Sequence, residues 1–564
     1  NYTGALTGTA AGLMNAQGYA VTFTVGGGKV QATFAAATPK SLVWAGDGAA
    51  NEWSTATTST NWLDASTLTN FNQFDSVTFD ASSPNTNVSI IGEVVPSSIT
   101  INGDSNYWIT AVGTGSTITG TNSITKNGAG TAVLDIDPNP ARGPITVNGG
   151  ILTYGSRNNS YAGATTITVA TNAAFDFGQD WDLTKTQPHN FVVQGSGPDG
   201  LGAVRANQVT ANAISSHTFI GKFTLAGDTV LGAEQRWDIG GAWTEYGSTI
   251  PTIDGQGFSL TKVGSAPLDV RSVITNVSSI TVSNGYLFYE NYDQTNSWTA
   301  TTTNFVKPGA RLGNYGGRSI SMPIVLDGAT IQNEGGGTPV WLSPIRIDSG
   351  SVFYNGSAQY FYGPVSGPGA MWVNGGTSTL TVTNANTYAG GTVISNAPVT
   401  TAAADATSGS AAVIAADPNA FGTGPITVSG LAYPSLSTNA SFFLTNVLRA
   451  VELAFGTPGT VANNIVLPSG TINNVSLHGR DNNQVVNLTG VISGGFAGMT
   501  NWIDFGTAGN GVIRYANTAN TFLGTVSVFR GILGITADGS LGDSANLLRL
   551  NTGALRIDAP GINV

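Results

Sequence analysis

Short runs in which apolar residues alternate with Thr, Ser or Asn recur along most of this 564-residue chain. The clearest pair, Thr379–Val382 and Thr392–Ser395, lies within residues 375–397 and is separated by a polar corner that contains glycine. Alternation with a period of two places one face of a strand in the interior and the other in solvent. The pattern therefore predicts short β-strands joined by tight corners.

Several of these segments are echoed elsewhere in the chain. The echoing segments are 124–134 with 260–268, 144–152 with 279–287 and 425–430, and 386–390 with 520–524. Each copy keeps one internal order: a Lys-Xaa-Gly segment, a strand, an Asn-aromatic-Gly corner, an Ile-Thr-Val strand and a glycine turn. A unit this short cannot bury its own apolar face, so the copies must stack on one another. The sequence predicts an all-β fold, a parallel β-helix (β-solenoid) with roughly 20–25 residues per turn.

The pattern divides the chain into three predicted regions: 1–40, 41–125 and 126–564. The last region holds the solenoid repeats, and two stretches that interrupt them, 401–418 and the surroundings of 187–200, are predicted to be loops that project from one side. The repeat stops part-way through residues 551–564. We therefore expect an exposed last turn, either inside a longer chain or ready to receive another segment.

Residues 1–40 are predicted to form a β-hairpin, because two alternating runs flank the glycines at 26–28. A lone hairpin is marginal in water and needs a neighbouring sheet, which can belong to its own chain or to another subunit. A strand from one copy can complete the uncapped end of another by β-augmentation. The candidate assembly residues are Tyr19, Val21, Phe23, Val25, Val30 and Phe34 in the hairpin, and Ile557 and Val564 in the last turn.

Aromatic residues are concentrated in residues 41–125, and the tryptophans there are Trp44, Trp53, Trp62 and Trp108. Two interpretations stay open. The aromatic side chains can form the core of a small β cap that covers the first turn of the solenoid, or they can stack on sugars as a glycan-binding surface. The core interpretation is favoured, since each aromatic side chain buries a large area.

Composition narrows the partners. Charged residues make up 9% of the chain, against roughly 25% in a typical domain. A formal net charge of −11 disfavours nucleic acid and anionic membrane surfaces. No run approaches the ~18 consecutive apolar residues of a membrane span. The chain has no cysteine, which fits an exported bacterial protein but leaves a reducing compartment open.

Candidate chemistry is sparse. The carboxylate pairs Asp135/Asp137 and Asp180/Asp182 would each share a strand face, but neither reproduces the pattern of pectin-cleaving β-helix enzymes. The three histidines are scattered and have no cysteine partners, so no metal centre is predicted. We expect no cofactor and no catalytic residues. Calcium held by Asp and Asn side chains at corners stays open as a structural ion.

Residues 375–397, and next 124–152 and 509–533, resemble the autotransporter-associated β-strand repeat, also called the passenger-associated transport repeat. Residues 42–124 are similar to the segment that often precedes such repeats in large exported bacterial proteins. The resemblance implies a right-handed β-helix at the bacterial cell surface or outside the cell, with a role in adhesion, matrix or fibre.

Three functions follow as hypotheses. The first is a secreted, non-enzymatic β-solenoid subunit that assembles with itself into a fibre, sheath or matrix. The second is a monomeric adhesin that binds surface glycans, and the third is a β-helix polysaccharide lyase or hydrolase.

Overall fold

The computed structural model describes residues 19–26, 29–36, 38–136, 143–155, 165–178, 189–207, 220–240, 251–290, 301–334, 337–354, 358–374, 379–395, 411–429, 451–469, 474–479, 483–505 and 510–562. The chain divides into two units, Asn1–Val277 and Ser278–Val564. Apart from a 3₁₀ turn at Asp538–Leu541, the regular structure of the described residues is β.

Unit 1 contains strands that are two to fourteen residues long. In chain order they are β1 (Tyr19–Gly26), β2 (Lys29–Ala36), β3 (Ser41–Trp44), β4 (Glu52–Trp53), β5 (Trp62–Asp64), β6 (Thr67–Thr69), β7 (Ser76–Asp80), β8 (Asn87–Ile90), β9 (Glu93–Val94), β10 (Ser98–Asn102), β11 (Tyr107–Ala111), β12 (Thr117–Ile118), β13 (Ser123–Asn127), β14 (Thr131–Asp135), β15 (Ile145–Val147), β16 (Gly150–Tyr154), β17 (Thr166–Val169), β18 (Ala173–Asp176), β19 (His189–Gly195), β20 (Val204–Ala206), β21 (Ile220–Ala233), β22 (Trp237–Ile239), β23 (Thr252–Asp254), β24 (Leu260–Val263), β25 (Pro267–Val270) and β26 (Val273–Thr275).

Two parallel ladders organise unit 1. The first joins β7, β10, β13, β15, β17 and β19 and continues through β21, β23 and β26. The second joins β8, β11, β14, β16, β18 and β20 and continues through the end of β21 to β24. At the start, β3 pairs in parallel with β7 and antiparallel with β5. The first rungs thus lie within residues 41–125.

The alternation seen in the sequence becomes an interior column. On β7, β10 and β13, buried residues alternate with partly exposed ones. The register stacks the buried positions of successive rungs, which are Val77, Ile99, Ile124, Ile145, Ile167 and Phe191, each at most 1% exposed. These stacked partners lie 21 to 25 residues apart in the sequence, which matches the predicted length of a turn.

Unit 2 has the same construction. Its strands are β27 (Ser279–Val282), β28 (Tyr286–Tyr289), β29 (Thr303–Val306), β30 (Arg311–Tyr315), β31 (Ser319–Ile320), β32 (Ile324–Asp327), β33 (Thr330–Glu334), β34 (Val340–Trp341), β35 (Ile345–Ser349), β36 (Ser351–Tyr354), β37 (Gln359–Phe361), β38 (Val365–Ser366), β39 (Met371–Asn374), β40 (Thr379–Val382), β41 (Thr392–Ser395), β42 (Ala411–Ala415), β43 (Ile426–Val428), β44 (Val451–Phe455), β45 (Gly459–Val461), β46 (Ile465–Leu467), β47 (Asn474–Gly479), β48 (Val485–Leu488), β49 (Ile492–Phe505), β50 (Val512–Tyr515), β51 (Leu523–Val528), β52 (Ile532–Ile535), β53 (Leu548–Leu550) and β54 (Ala554–Ile557).

Parallel ladders again run through unit 2. One joins β28, β30, β33, β36, β39, β41, β43, β46 and the start of β49. Another joins β31, β34, β37, β40, β42, β44, β47, the end of β49, β51 and β53. A third joins β45, β48, β50, β52 and β54. A fourth ladder, also of five strands, joins β27, β29, β32, β35 and β38.

The Asn-aromatic-Gly corner has a definite structural role. Asn386 is buried, accepts a hydrogen bond from the Val365 backbone N–H at 2.7 Å and donates one to the Ala420 carbonyl at 2.7 Å. Asn520 repeats this arrangement, accepting from the Ile492 backbone N–H at 2.8 Å and donating to the Ser540 carbonyl at 2.9 Å. Each side chain therefore ties its own rung to the main chain on both sides.

The prediction of an all-β parallel β-solenoid with an aromatic cluster near its start is confirmed. Two details of the predicted loops are wrong. Residues 189–195 form β19 inside the first ladder, and residues 411–415 form β42, which pairs with β40 and β44. The run Ala-Ala-Val-Ile-Ala of β42 carries weak intrinsic β-propensity, so its pairing is set by the neighbouring rungs. Residues 401–410 lie outside the described part of the chain.

Candidate assembly site and aromatic cluster

The predicted hairpin is present in the backbone as β1 and β2. The strands pair antiparallel with Val21 opposite Phe34, Phe23 opposite Ala32 and Val25 opposite Val30. Among the described residues, this two-stranded sheet pairs with no other strand. The register pairs the alternating residues Tyr19, Val21, Phe23 and Val25 of β1 with Ala36, Phe34, Ala32 and Val30 of β2.

The last described rung shows an abrupt loss of burial. In the third ladder of unit 2, the stacked interior positions are Val461, Leu488, Tyr515 and Ile535, each at most 1% exposed, followed by Ile557 at 51%. In the neighbouring ladder, buried Val528 is followed by Leu550 at 49%. Leu547, just before β53, is 58% exposed. Ile557 and Leu550 thus occupy interior register positions that no further described rung covers, and we call the rung of β53 and β54 that carries them the open rung.

Polar contacts fix the outer side of the open rung. Asp558 contacts Arg514 at 2.6 Å and Arg556 at 2.7 Å, passing Gly534 on the rung between them. Burial alone would raise the pKa of Asp558, but hydrogen bonds from the two guanidinium groups and their charges outweigh it and hold this pKa below its ordinary value. β54 is therefore held in register by a charge-assisted contact. Val564, the other residue predicted at this end, lies outside the described residues.

Three of the four tryptophans proposed as a glycan surface form a core. Trp44, Trp53 and Trp62 are fully buried. Trp62 meets Trp44 edge-on with ring centroids 4.9 Å apart and Trp53 with centroids 5.4 Å apart. Phe79 lies on β7, at the start of the first ladder of unit 1, and packs on Trp62 with ring centroids 5.5 Å apart. The core interpretation is confirmed for these three residues, and a sugar-stacking role for them is wrong because no face of their indoles reaches solvent.

Trp108 differs from the other three. It lies on β11, between Asn87 and Val133 in register, and its side chain is 46% exposed. Its neighbour Tyr107 points inward, and its hydroxyl donates to the Asp80 carbonyl at 2.6 Å. Burial, with a smaller contribution from Asp80, raises the pKa of Tyr107 to about 12. Trp108 is therefore available to a ligand, whereas Tyr107 serves the core.

Two lysines occupy interior positions, which the sequence did not reveal. Lys126 is fully buried, and its Nζ donates to the carbonyls of Asn127, Gly128 and Gly149 at 2.7, 2.9 and 3.1 Å. Burial lowers its pKa to about 8, against a smaller opposing contribution from Asp104.

Lys262, in the echoing segment, is likewise fully buried and donates to the Gly264 and Ala266 carbonyls, both at 2.6 Å. Burial lowers its pKa to about 8, partly offset by Glu234. In both copies, the Lys-Xaa-Gly segment places the buried ammonium group within hydrogen-bond distance of main-chain carbonyls in the glycine-containing turn that follows the lysine.

The carboxylates singled out for catalysis are not brought together in the described residues. Asp135 lies on β14, whereas Asp137, Asp180 and Asp182 lie outside the described part of the chain. His478 belongs to β47. No group of three or more His, Asp or Glu residues that could hold a metal ion occurs among the residues described.

Other acids, which sequence reasoning missed, are buried beside arginines. Asp238 and Asp269 are opposite each other in register on β22 and β25, and both are at most 1% exposed. Arg271 contacts Asp238 at 3.1 Å, and Arg236 pairs with both acids. Buried charges persist only where they are paired, so these residues form a structural ion cluster. The register of β22 and β25 brings Asp238 and Asp269 together, and this register is not evident from the sequence.

A second buried cluster has the same character. Arg205 contacts Asp176 at 3.1 Å and Asp199 at 2.6 Å, and Arg205 and Asp176 are nearly fully buried. Burial raises the pKa of Asp176 in spite of its hydrogen bonds from Gly178 and Arg205.

In the described part of the chain, no helix is long and apolar enough to cross a membrane. No protein-family model, curated protein or solved structure matches the chain.

Proposed function

We propose that this protein is a secreted, non-enzymatic structural subunit, of the autotransporter-associated repeat type, that assembles head to tail with copies of itself into an extracellular fibre. The observation that carries the proposal is the open rung, where Ile557 and Leu550 are half-exposed although their stacked partners on the preceding rung, Ile535 and Val528, are fully buried. Covering the exposed half of one such side chain contributes about 1 kcal/mol, roughly half of the value for full burial.

The hairpin of β1 and β2 is the complementary element. Its register pairs alternating apolar residues of β1 and β2, and its outer edges pair with no other described strand. The open rung offers the same two things: apolar side chains and the outer edges of β53 and β54. A hairpin strand added beside β54 would satisfy both main-chain edges and bury both apolar surfaces, which is the energetic basis of β-augmentation.

Low charge supports the same proposal. The chain has 21 basic and 32 acidic residues in 564. The net charge of −11 is spread over a long chain, so the like-charge repulsion between two copies is weak. The hydrogen-bonded Asp558 carboxylate lies at the side of the open rung and leaves the exposed faces of Ile557 and Leu550 apolar.

The decisive experiment blocks each end separately. An Ile557→Asp variant removes the acceptor, and a Val21→Asp, Phe23→Asp variant removes the donor. Each alone should give isolated subunits by electron microscopy and analytical ultracentrifugation, while the wild type forms fibres. A Leu201→Asp variant, at an equally exposed apolar residue of unit 1 that belongs to neither β1, β2 nor the open rung, should polymerise normally.

Mixing the two blocked variants sharpens the test. One intact donor then meets one intact acceptor, so a dimer with one copy of each variant should form and growth should stop there. Continued fibre growth of either variant, or no association in the mixture, would contradict head-to-tail strand addition. Recovery of the protein only from inside the cell would contradict the proposal of secretion.

Carbohydrate binding is the second candidate, and exposed Trp108 is the observation that favours it. An indole face in solvent can stack on a sugar ring. A glycan array should then show binding that Trp108→Ala abolishes while Trp53→Ala, a core substitution, acts only through loss of folding. Absence of glycan binding by the wild type would remove this candidate.

A further inference from the structure

A two-dimensional array of hydroxyl groups covers the outer side of the first ladder in unit 1. Five consecutive rungs, β7, β10, β13, β15 and β17, each place a threonine at the same register position, and these are Thr78, Thr100, Thr125, Thr146 and Thr168. No register shift interrupts the pairing of these rungs, whereas shifts occur further on, between β19 and β21. We call this surface, with its flanking residues, the hydroxyl face.

The five threonine hydroxyls are not used by the protein. Each of these side chains is partly exposed, at positions that alternate with the buried column. None of the five forms a hydrogen bond through its side chain with any protein group in the described structure. Many other threonines and serines are engaged, such as Thr165, whose hydroxyl bonds the Gly143 carbonyl. The hydroxyls of the hydroxyl face are therefore directed to solvent.

Flanking columns extend the array to both sides. Two residues before the threonines lie Ser76, Ser98, Ser123, Pro144 and Thr166, and two residues after them lie Asp80, Asn102, Asn127, Asn148 and Ala170. Asn148 donates to the side-chain oxygen of Asn127 at 2.9 Å, which links neighbouring rungs within the array. Twelve of the fifteen positions carry an uncharged hydroxyl or amide group, and the exceptions are Asp80, Pro144 and Ala170.

The repeats of this array are set by the backbone. Neighbouring rungs are about 4.7–4.9 Å apart and alternate residues along a strand about 6.6 Å apart, because those are the spacings of a β-sheet. Interior side chains are stacked at each rung, so the columns cannot shift independently. The result is a fixed lattice of small hydrogen-bonding groups in two directions.

This chemistry selects among ligands. Anionic ligands need Arg or Lys, and the three columns contain neither. Sugar rings stack on aromatic faces, but the three columns contain no aromatic residue. A lattice of threonines, each with one methyl and one hydroxyl group, instead orders water, since first-shell water bonds the hydroxyl and is confined by the methyl. Water that is itself a lattice with similar repeats is ice.

We propose that the hydroxyl face binds the surface of ice crystals through an ordered water layer held by its threonine column. This activity belongs to unit 1 alone and does not require assembly into fibres. Fibre formation would repeat the face along the polymer and strengthen adsorption by multivalency.

Ice adsorption can be measured directly on the full chain. The wild type should be enriched in a slowly grown ice hemisphere, shape single ice crystals and give thermal hysteresis in a nanolitre osmometer. Thr125→Tyr, which places a ring in the centre of the column, should lose most of the hysteresis. The matched control is Thr110→Tyr, an equally half-buried threonine on the outer side of β11 in the other ladder, and it should keep the wild-type value.

Circular dichroism and thermal unfolding must show that both variants fold as the wild type does. If Thr125→Tyr does not fold, Thr125→Lys and Thr100→Lys provide the same disruption with a solvated side chain. No crystal shaping or hysteresis by the wild type overturns the proposal, as does equal activity of the column and control variants. Binding to crystalline cellulose or chitin, or altered lateral packing of fibres, without any effect on ice would assign the face to polysaccharide or to another copy and also overturn it.

Discussion

The first rungs of unit 1 and the last described rung of unit 2 differ in how far their apolar side chains are covered. A solenoid rung exposes apolar side chains wherever no neighbouring rung covers them. At the start, Trp44, Trp53 and Trp62 fill that space and are themselves fully buried. At the open rung, Ile557 and Leu550 are left half-exposed.

The difference shows whether the burial of apolar area contributes to folding or is left for association with a partner. The aromatic cluster uses its area within the chain, so it contributes to folding and leaves little for a partner. The open rung keeps apolar area and strand edges in solvent, which is the state of an edge before another strand is added. Variants that separate folding from association should therefore divide along the same line.

The largest effect should come from the aromatic cluster. Trp62→Ala removes the ring that contacts Trp44, Trp53 and Phe79, and we expect a loss of about 3–5 kcal/mol in the free energy of unfolding of unit 1. Circular dichroism in urea measures this loss. Trp108→Ala is the control and should change stability by about 0.5 kcal/mol or less. Similar losses in the two variants would contradict the assignment of Trp62 to a core.

A pair of substitutions at one register position tests the open rung. Ile535→Ala should cost about 2–5 kcal/mol, because Ile535 is fully buried between Tyr515 and Ile557. In the isolated subunit, Ile557→Ala should cost about 1 kcal/mol or less, since half of that side chain already meets water. Urea unfolding of the isolated subunit measures both.

Assembly into fibres should reduce the difference between the costs of Ile535→Ala and Ile557→Ala. When the open rung is covered, Ile557→Ala becomes a core substitution and should lower the stability of the polymer as Ile535→Ala does. A cost for Ile557→Ala that is the same in subunit and fibre would mean that the open rung stays uncovered.

A smaller effect is expected at a corner. Asn520→Ala leaves the Ile492 N–H and the Ser540 carbonyl without their partner, which should cost about 1–3 kcal/mol. Asn517→Ala, at a more exposed position on the same corner, should cost less than half as much. Hydrogen exchange at Ile492 distinguishes the two, because only the first substitution frees that amide.

The smallest effect concerns pH. The pKa of Lys126 is about 8 in the folded chain and returns to its ordinary value of 10.5 on unfolding. Between these values the unfolded chain binds more protons, so the free energy of unfolding should rise as pH increases from 8 to about 9.5. Lys126→Met should flatten this rise in urea titrations, and Lys40→Met, at an exposed lysine, should not. An unchanged slope in Lys126→Met would mean that the ammonium is better solvated than its buried position indicates.

The sequence predicted the architecture because alternation and repetition are local properties. Ser98-Ile-Thr-Ile-Asn reads as a half-buried strand, and the structure stacks Ile99 between Val77 and Ile124. The length of a turn followed in the same way. By contrast, β42 was misread as a loop because its alanines carry no strong pattern, and only pairing with β40 and β44 fixes it.

The candidate site was less predictable, because the exposure of its residues is set by which rungs lie next to them in the fold, and the sequence does not give this. Ile557 was identified as an end residue, but Leu550 and Leu547 look like ordinary repeat positions in the sequence, and their exposure is seen only in the structure. Trp53 and Trp108 are equally aromatic in sequence, and their opposite exposure comes from the side of the strand that each occupies. The hydroxyl face was invisible for a similar reason, because its threonines are 21 to 25 residues apart in the sequence.

The corner asparagines have a mechanical consequence. Asn386 and Asn520 each bond main-chain groups that precede and follow their own corner by 20 or more residues, so a rung cannot peel away without breaking contacts on two sides. Under tension along the stack, a corner of this kind makes three successive rungs yield together. Force-extension traces of unit 2 should show rupture in steps longer than one turn, and Asn520→Ala should shorten the step at that corner.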